Sequence, residues 1–239
     1  MHRVAITSLA VAAAGTAYIA YEARRLAHLY PIQGPRPYHS TPAVLGRTKL
    51  PPTLEGNIDP HINDYVYATI PLPPAAGTIA ANATDAWVRA FYQTWTLRLE
   101  AVVGGRSDFI KTHCAELRQT SPERLDATSA FGEGRAVVDR PAPPAIAAGL
   151  FPVLERAPNL VVYFRIPSGG FLLGGTQELA AVPVDGGLEL SYGCTIAPNP
   201  HRAMPGWVYA GHLFYMRFLV DRGARRLERW IAEDARGRA

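Results

Sequence analysis

"VPVDGGLELSYGCTIA", Val182 to Ala197, is the stretch on which the fold class turns. After Asp185-Gly186-Gly187 the chain alternates with period two. Leu188, Leu190, Tyr192, Cys194 and Ile196 fall on one face, and Glu189, Ser191 and Thr195 fall on the other. Such alternation marks a strand with one face in a core, and the Asp-Gly-Gly turn marks a hairpin. A two-residue turn, at Asp185-Gly186 or Gly186-Gly187, sets Gln177, Leu179, Ala181 and Pro183 on the inward face and points Glu178 out. A three-residue loop would reverse that assignment.

Working outward, "RAVVDR", "NLVVYFRIP" and "GTQELAAVPVD" read as further antiparallel strands. In the second of these Leu160, Val162, Phe164 and Ile166 are expected inward, leaving Arg165 and Tyr163 on the outer face, the arginine solvated or paired. "DYVYATIPL" alternates too, with Val66, Ala68 and Ile70 opposed to Tyr65, Tyr67 and Thr69. "NATDAWVRAFYQTWTLRLEAVVGG" has helical start and stop signals: Asn82 or Thr84 as cap, Asp85 at the positive end, and Gly104-Gly105 after the end. Its expected buried stripe is Val88, Phe91, Trp95, Leu99 and Val102, and its wet one Arg89, Gln93, Thr96 and Glu100. Ser107 to Ala130 is expected to hold one more short helix, and a last long helix runs from about Pro205 to Asp234.

The 239-residue chain is 48% hydrophobic and only 18% charged, with a net charge of +4. The surplus sits in the tail from Arg217, where seven arginines face Asp221, Glu228, Glu233 and Asp234. No interleaved aromatic and basic patch accompanies it, so no nucleic-acid partner is expected. Cys114 and Cys194 are too few for a disulfide framework, although a single bridge stays open. Val4 to Tyr21 is an 18-residue run without a charge, flanked by Arg3 and by Glu22, Arg24 and Arg25. A cleaved signal peptide competes with a membrane anchor. The aromatic end and the arginines that follow favour the anchor. Pro31 to Pro60 carries seven prolines and no apolar period. The expected organisation is therefore an anchor over 1–25, a Pro-rich tether over 26–61 and a ligand-binding domain over 62–239. Localisation follows as single-pass, in an endomembrane. Orientation leans to a cytosolic domain, while Asn82-Ala83-Thr84 is a sequon that only a lumenal domain would see glycosylated at Asn82.

Recognised motifs are missing. "SGGFLLGGTQ" follows neither the dinucleotide nor the phosphate-loop pattern, and it reads as a hairpin loop. Ser168 has no nucleophile-elbow setting. His61, His113 and His201 lack zinc-ligand spacing. No cofactor and no metal are expected. What remains is "GWVYAGHLFYMRFLV", Gly206 to Val220, where an imidazole interrupts an apolar helix. Val208, His212, Tyr215 and Leu219 share a face. Set against the strands, that face would bring His212 and Tyr215 to Tyr192, Cys194 and Gln177. The bland alternative is a buried histidine satisfied by a backbone carbonyl or by the Tyr215 hydroxyl. The candidate catalytic residues are thus His212, Tyr215 and Tyr192, with Gln177, Cys194, Phe164 and Leu190 as ligand-binding residues.

The order strand, helix, irregular stretch, antiparallel strands and long C-terminal helix over about 62 to 234 resembles the helix-grip architecture of START-like lipid- and polyketide-binding domains. That resemblance implies an α+β fold: a curved antiparallel sheet around a long C-terminal helix, with an apolar cavity between them. The whole chain, arginine-rich, lysine-poor and with its N-terminal apolar run, is also similar to the membrane-associated cyclases of filamentous-fungal natural-product pathways. The norbornene-forming Diels–Alderase type of the sordarin pathway is the nearest of these. No motif matches residue by residue, and no catalytic residue is carried over. The implied activity is a cofactor-independent cyclase or isomerase (a pericyclase) acting on a small apolar terpenoid or polyketide intermediate. The alternative is a lipid- or sterol-binding module without chemistry.

Overall fold

The structure is a computed structural model that describes residues 2–39, 62–73, 82–97, 99, 146–147, 151–157, 159–165, 172–199, 202 and 204–237. The elements are α1 (His2–Leu29), β1 (Ile62–Pro71), α2 (Ala83–Tyr92), β2 (Ile146–Ala147), β3 (Phe151–Ala157), β4 (Leu160–Arg165), β5 (Leu172–Val184), β6 (Gly187–Pro198) and α3 (Gly206–Gly237). The class is α+β. The strands form one antiparallel sheet in the order β1-β6-β5-β4-β3-β2, with β1 at one edge. The strand expected at "RAVVDR" and the helix expected within Ser107–Ala130 lie outside the described residues.

The β5–β6 hairpin has the expected geometry. Val184 pairs with Gly187 across a two-residue turn, and Gly186 takes φ +73°, a conformation that favours glycine. Parity then follows along the sheet. Leu188, Leu190, Tyr192 and Cys194 align with Pro183, Ala181, Leu179 and Gln177 on one side, and with Ile70, Ala68, Val66 and Asp64 on the other.

On β4 the parity is the reverse of that expected. Val161 pairs with Leu179, and Tyr163 and Arg165 register with Gln177 and Gly175, on the helix side. Leu160, Val162 and Phe164 register with Ala180, Glu178 and Thr176, on the opposite face. The reason is burial on both faces. Leu160 and Val161 are each nearly inaccessible, so a continuous apolar run carries no alternation to read.

The second face is covered by the chain before β1. Residues 30–39, part of the segment expected as an extended tether that could drape over the domain, do lie on it. Gln33 bridges Tyr65, and Tyr38 and Arg36 both reach Glu189, at 2.8 and 3.2 Å. Tyr65 lies flat over Gly193, where a Cβ would come within 2.2 Å of its ring. Glu178 does point away from the helices, but it is buried beneath this strap rather than solvated.

The helix side holds the core. Every residue of α2 is buried, since the helix lies between the sheet and α3. Val88 and Phe91 are buried as expected. After Tyr92 the helix breaks: the Thr94 amide donates to the Phe91 carbonyl, a three-residue spacing that tightens and turns the chain. Trp95 and Leu99, expected inside, are 63% and 55% exposed, while Arg89 and Gln93, expected wet, are buried. On α3 the buried stripe is Met216, Leu219, Val220, Ala224, Leu227 and Ile231. Gly223 faces Trp87 so closely that a Cβ would stand 2.8 Å from its ring.

α1 runs past Arg24-Arg25, the expected end of the anchor, and its C-terminal turn docks on α3. Leu26 is fully buried, Arg25 pairs with Glu22 at 2.8 Å and with Asp221 at 3.5 Å, and Tyr30 donates to Asp221 at 3.2 Å. Among the described residues no helix is long and apolar enough to cross a membrane. The side chains of residues 2–13, much of the apolar run, lie outside the described residues.

Candidate functional site

One row of the helix-facing sheet surface is polar. Asp64 of β1, Cys194 of β6, Gln177 of β5 and Tyr163 of β4 stand directly opposite one another in register. The adjacent row, Val66, Tyr192, Leu179 and Val161, belongs to the core. Asp64, Cys194 and Gln177 are all buried, so each polar atom needs a partner from above. The two helices supply them. Tyr92 of α2 donates its hydroxyl to Gln177 Oε1 at 3.1 Å. Tyr209 of α3 reaches Asp64, 2.9 Å from Oδ1 and 3.0 Å from Oδ2, so one hydroxyl proton serves both carboxylate oxygens.

Burial controls the electrostatics of this pair. Desolvation pushes the Asp64 carboxyl above the usual carboxylate range, against the opposing pull of the Tyr209 hydrogen bond and of Arg217. Tyr209 is pushed up to about 12, first by desolvation and then by the adjacent carboxylate. It therefore keeps its proton and donates it. Burial also lowers Arg217, which lies two turns along α3 and donates through Nε to the Tyr30 carbonyl at 2.9 Å. This connection ties the strap to the site.

The structure brings some of the expected site residues together and separates others. Gln177 and Cys194 are neighbours in the polar row, and Cys194 is buried and forms no disulfide among the described residues. Cys114 lies outside the described residues. Tyr192 and Leu190 are on the correct face but packed into the core, with the Tyr192 ring 4.6 Å from that of Phe91. Phe164 registers on the opposite face of the sheet, for the reason given above. His212 continues the buried stripe of α3 by four residues beyond Met216, and it is half-buried. Its ring stacks near Tyr209, with centroids 6.4 Å apart. Tyr215 is half-buried against the core edge. Asn82 is exposed at the start of α2 without a side-chain cap, and Thr84 of its sequon is buried.

The residues missed were Asp64 and Tyr209. Asp64 could have been found, since it shares the parity of Val66, Ala68 and Ile70, and an acid on an apolar face needs explaining. Tyr209 could not, because only the packing of α3 across the β1 end selects it. What results is a carboxyl with a raised proton affinity, a protonated phenol bound to it and an imidazole beside the phenol. The phenol and the imidazole sit at the half-buried rim where α3 begins, and the carboxyl is buried beneath the phenol. Such a set can hold a proton, donate a hydrogen bond to a carbonyl and keep water away from one side of a ligand. Among the described residues no group of three or more His, Cys, Asp or Glu side chains gathers as a metal site would require.

A second polar cluster lies on the other side of the sheet. His39 Nδ1 is 2.8 Å from Glu178 Oε2, with each side chain 1% exposed, and Tyr65 donates to the same oxygen at 3.2 Å. The rings of Tyr38 and Tyr65 flank the imidazole at 4.6 and 4.4 Å. This cluster fastens the strap.

No protein-family model matches the chain, and no curated protein matches it. Among solved structures the chain is similar to the di-domain ARO/CYC StfQ from the steffimycin biosynthetic pathway, at 14% identity and a TM-score of 0.34, over 74% of this chain and 53% of that one. The chain thus spans about half the length of StfQ. It is also similar to protein Ms6760 from Mycobacterium smegmatis, at 8% identity and a TM-score of 0.33, over 70% of this chain and 88% of that one.

Proposed function

We propose that this chain is a helix-grip-like, cofactor-independent cyclase or isomerase that closes a ring in a small apolar terpenoid or polyketide intermediate. The observation that carries this reading is the Asp64–Tyr209 pair: a buried acid holding a phenol, at the half-buried amino-terminal turns of α3. An apolar ligand against Leu213 and Tyr215 would be held in a reactive conformer, and orientation alone can lower a barrier by up to about 7–11 kcal/mol in well-oriented models. His212 would donate a hydrogen bond to a substrate carbonyl and polarise it. Tyr209 would do so when Asp64 carries a proton and donates it to the phenol oxygen, since its single hydroxyl hydrogen is otherwise given to Asp64. For a [4+2] closure, the two π bonds of the diene and the one of the alkene are replaced by two σ bonds and one new π bond. No proton or electron is gained or lost, and the product is isobaric with the substrate.

In this reading residues 4–21 tether the domain to a membrane, where apolar intermediates concentrate. Tyr18, Ile19 and Tyr21 support it, each more than half exposed on α1. Full-length protein is expected to pellet with membranes after carbonate washing, and a chain lacking 2–21 to stay in the supernatant. Pelleting of both forms alike would remove that role from α1.

The activity itself is tested by incubating detergent-extracted protein with extracts containing unsaturated linear precursors. Chromatography coupled to mass spectrometry should show a new peak of unchanged mass. Tyr209→Phe keeps the ring and removes the donor, and it is expected to slow that conversion by about 10²-fold. Retention of the unconverted ligand by both proteins, with no new isomer, would identify a binding module instead.

A further inference from the structure

Among the described residues the outer edge of β1 is only partly paired. Gln33 and Tyr65 each donate a backbone amide to the other's carbonyl, at 3.0 and 3.2 Å, an antiparallel bridge of a single residue pair. Backbone groups alternate in direction along a strand, so Tyr67 and Thr69 also present N–H and C=O away from β6. Continuing the bridge would set Pro31 against Tyr67. Proline has no N–H to give, and just before it the chain winds into the end of α1 at Leu29. The strap therefore leaves the edge at that point. Among the described residues no backbone group pairs with the outward groups of Tyr67 or Thr69.

Facing this edge is an open groove of about 620 Å³, walled by Leu29 and Pro31 on one side and by Ala224 and Glu228 of α3 on the other. Most charges around it are already matched. Arg36 pairs with Glu189, and Arg225 with Asp221. Glu228 is exposed and has no ion pair or hydrogen bond among the described residues. An unpaired edge is a template for an added strand, and a spare carboxylate beside it selects a cation.

We propose that this groove takes an extended, lysine- or arginine-bearing segment of a partner protein. The segment adds as a strand along Tyr67 and Thr69 and sets its cation against Glu228. The probe is an acetylated, amidated pentapeptide, Thr-Val-Lys-Val-Thr, titrated into the full chain in detergent while backbone amide signals are followed by NMR. The amides of Tyr67 and Thr69 are expected to shift, and they should exchange with solvent faster than those of Val66 and Ala68 before peptide is added. Thr69→Pro removes an outward N–H and leaves the β6 ladder intact, and it should weaken binding about tenfold. Glu228→Gln should weaken it about threefold and flatten its salt dependence. A version of the peptide N-methylated at alternate residues, tested on the unaltered protein, should not bind. Equal binding of the N-methylated peptide, or no shift at Tyr67 and Thr69, would overturn the strand addition. Binding unchanged in Glu228→Gln would overturn the basic specificity. A dimer by sedimentation that Thr69→Pro abolishes would give the edge to a second copy of this chain and overturn the proposal.

Discussion

Asp64→Asn is expected to give a folded protein that has lost turnover by about 100-fold, the lower end of what a positioned acid–base group contributes. The substitution is nearly isosteric, and its amide oxygen still accepts the Tyr209 hydroxyl. What disappears is the titratable charge. Stability should move the other way from activity. Desolvation raises the folded-state affinity of Asp64 for its proton above the ordinary 3.8. Such a group contributes stability fully below its unfolded value, and that contribution is lost as pH rises through the folded value. The unaltered protein should therefore lose stability relative to Asp64→Asn from about pH 4 upward. Thermal melts of both proteins across the acidic range, with conversion assayed on the same preparations, read both effects. A variant that melts earlier at neutral pH would mean that the Asp64 charge stabilises the fold. Unchanged turnover in a folded variant would remove Asp64 from the chemistry.

Trp87→Ala carries the largest expected loss of stability. The indole is fully buried, donates through Nε1 to the Ser191 carbonyl at 2.9 Å, and packs edge-on to Phe91 at 5.5 Å. Gly223 of α3 lies against the same ring. One side chain thus joins α2, β6 and α3. Truncation should cost about 3–5 kcal/mol, a large share of the about 5–15 kcal/mol that holds a typical domain together. Trp87→Phe separates the contributions. It keeps much of the volume and removes one hydrogen bond to the Ser191 carbonyl, which still faces Ala180 across the ladder, at about 0.5–1.5 kcal/mol. Urea titration of the three proteins should rank them in that order. Equal midpoints for Trp87→Ala and the unaltered protein would show that α2 is not held through this ring.

How much of this was legible depended on whether a face met water. β6 was readable throughout, because Leu188 to Ile196 alternate strictly, while its register with β5 waited on the turn, which the structure places at Asp185-Gly186. β4 was not. Both of its faces are covered, so Leu160 and Val161 look alike in sequence, and the loop before β5 imposes no parity. The helix from Ala83 was readable to Phe91, while its break at Gln93 left no proline or glycine to announce it. His212 was visible as an imidazole in an apolar helix, and α3 does carry it to a half-buried rim.

Local chemistry by itself therefore determined the class of the protein, the β5–β6 hairpin, the inward row of β6 through Cys194 and the approximate extent of α3. It left the register to the length of the turn. Of the α3 face expected inward (Val208, His212, Tyr215 and Leu219) only Leu219 is fully buried, the stripe running instead through Met216, Val220 and Ala224. Period and turn geometry act between residues close in sequence, so they survive in one dimension. Only the tertiary structure decided that residues 30–39 strap the second sheet face and bury Glu178 under His39. It alone set Tyr209 over Asp64 across 145 residues of chain, and it left Tyr67 and Thr69 facing an open groove. Those outcomes depend on which surfaces compete for the same cover, and that competition is settled only when distant segments are packed together.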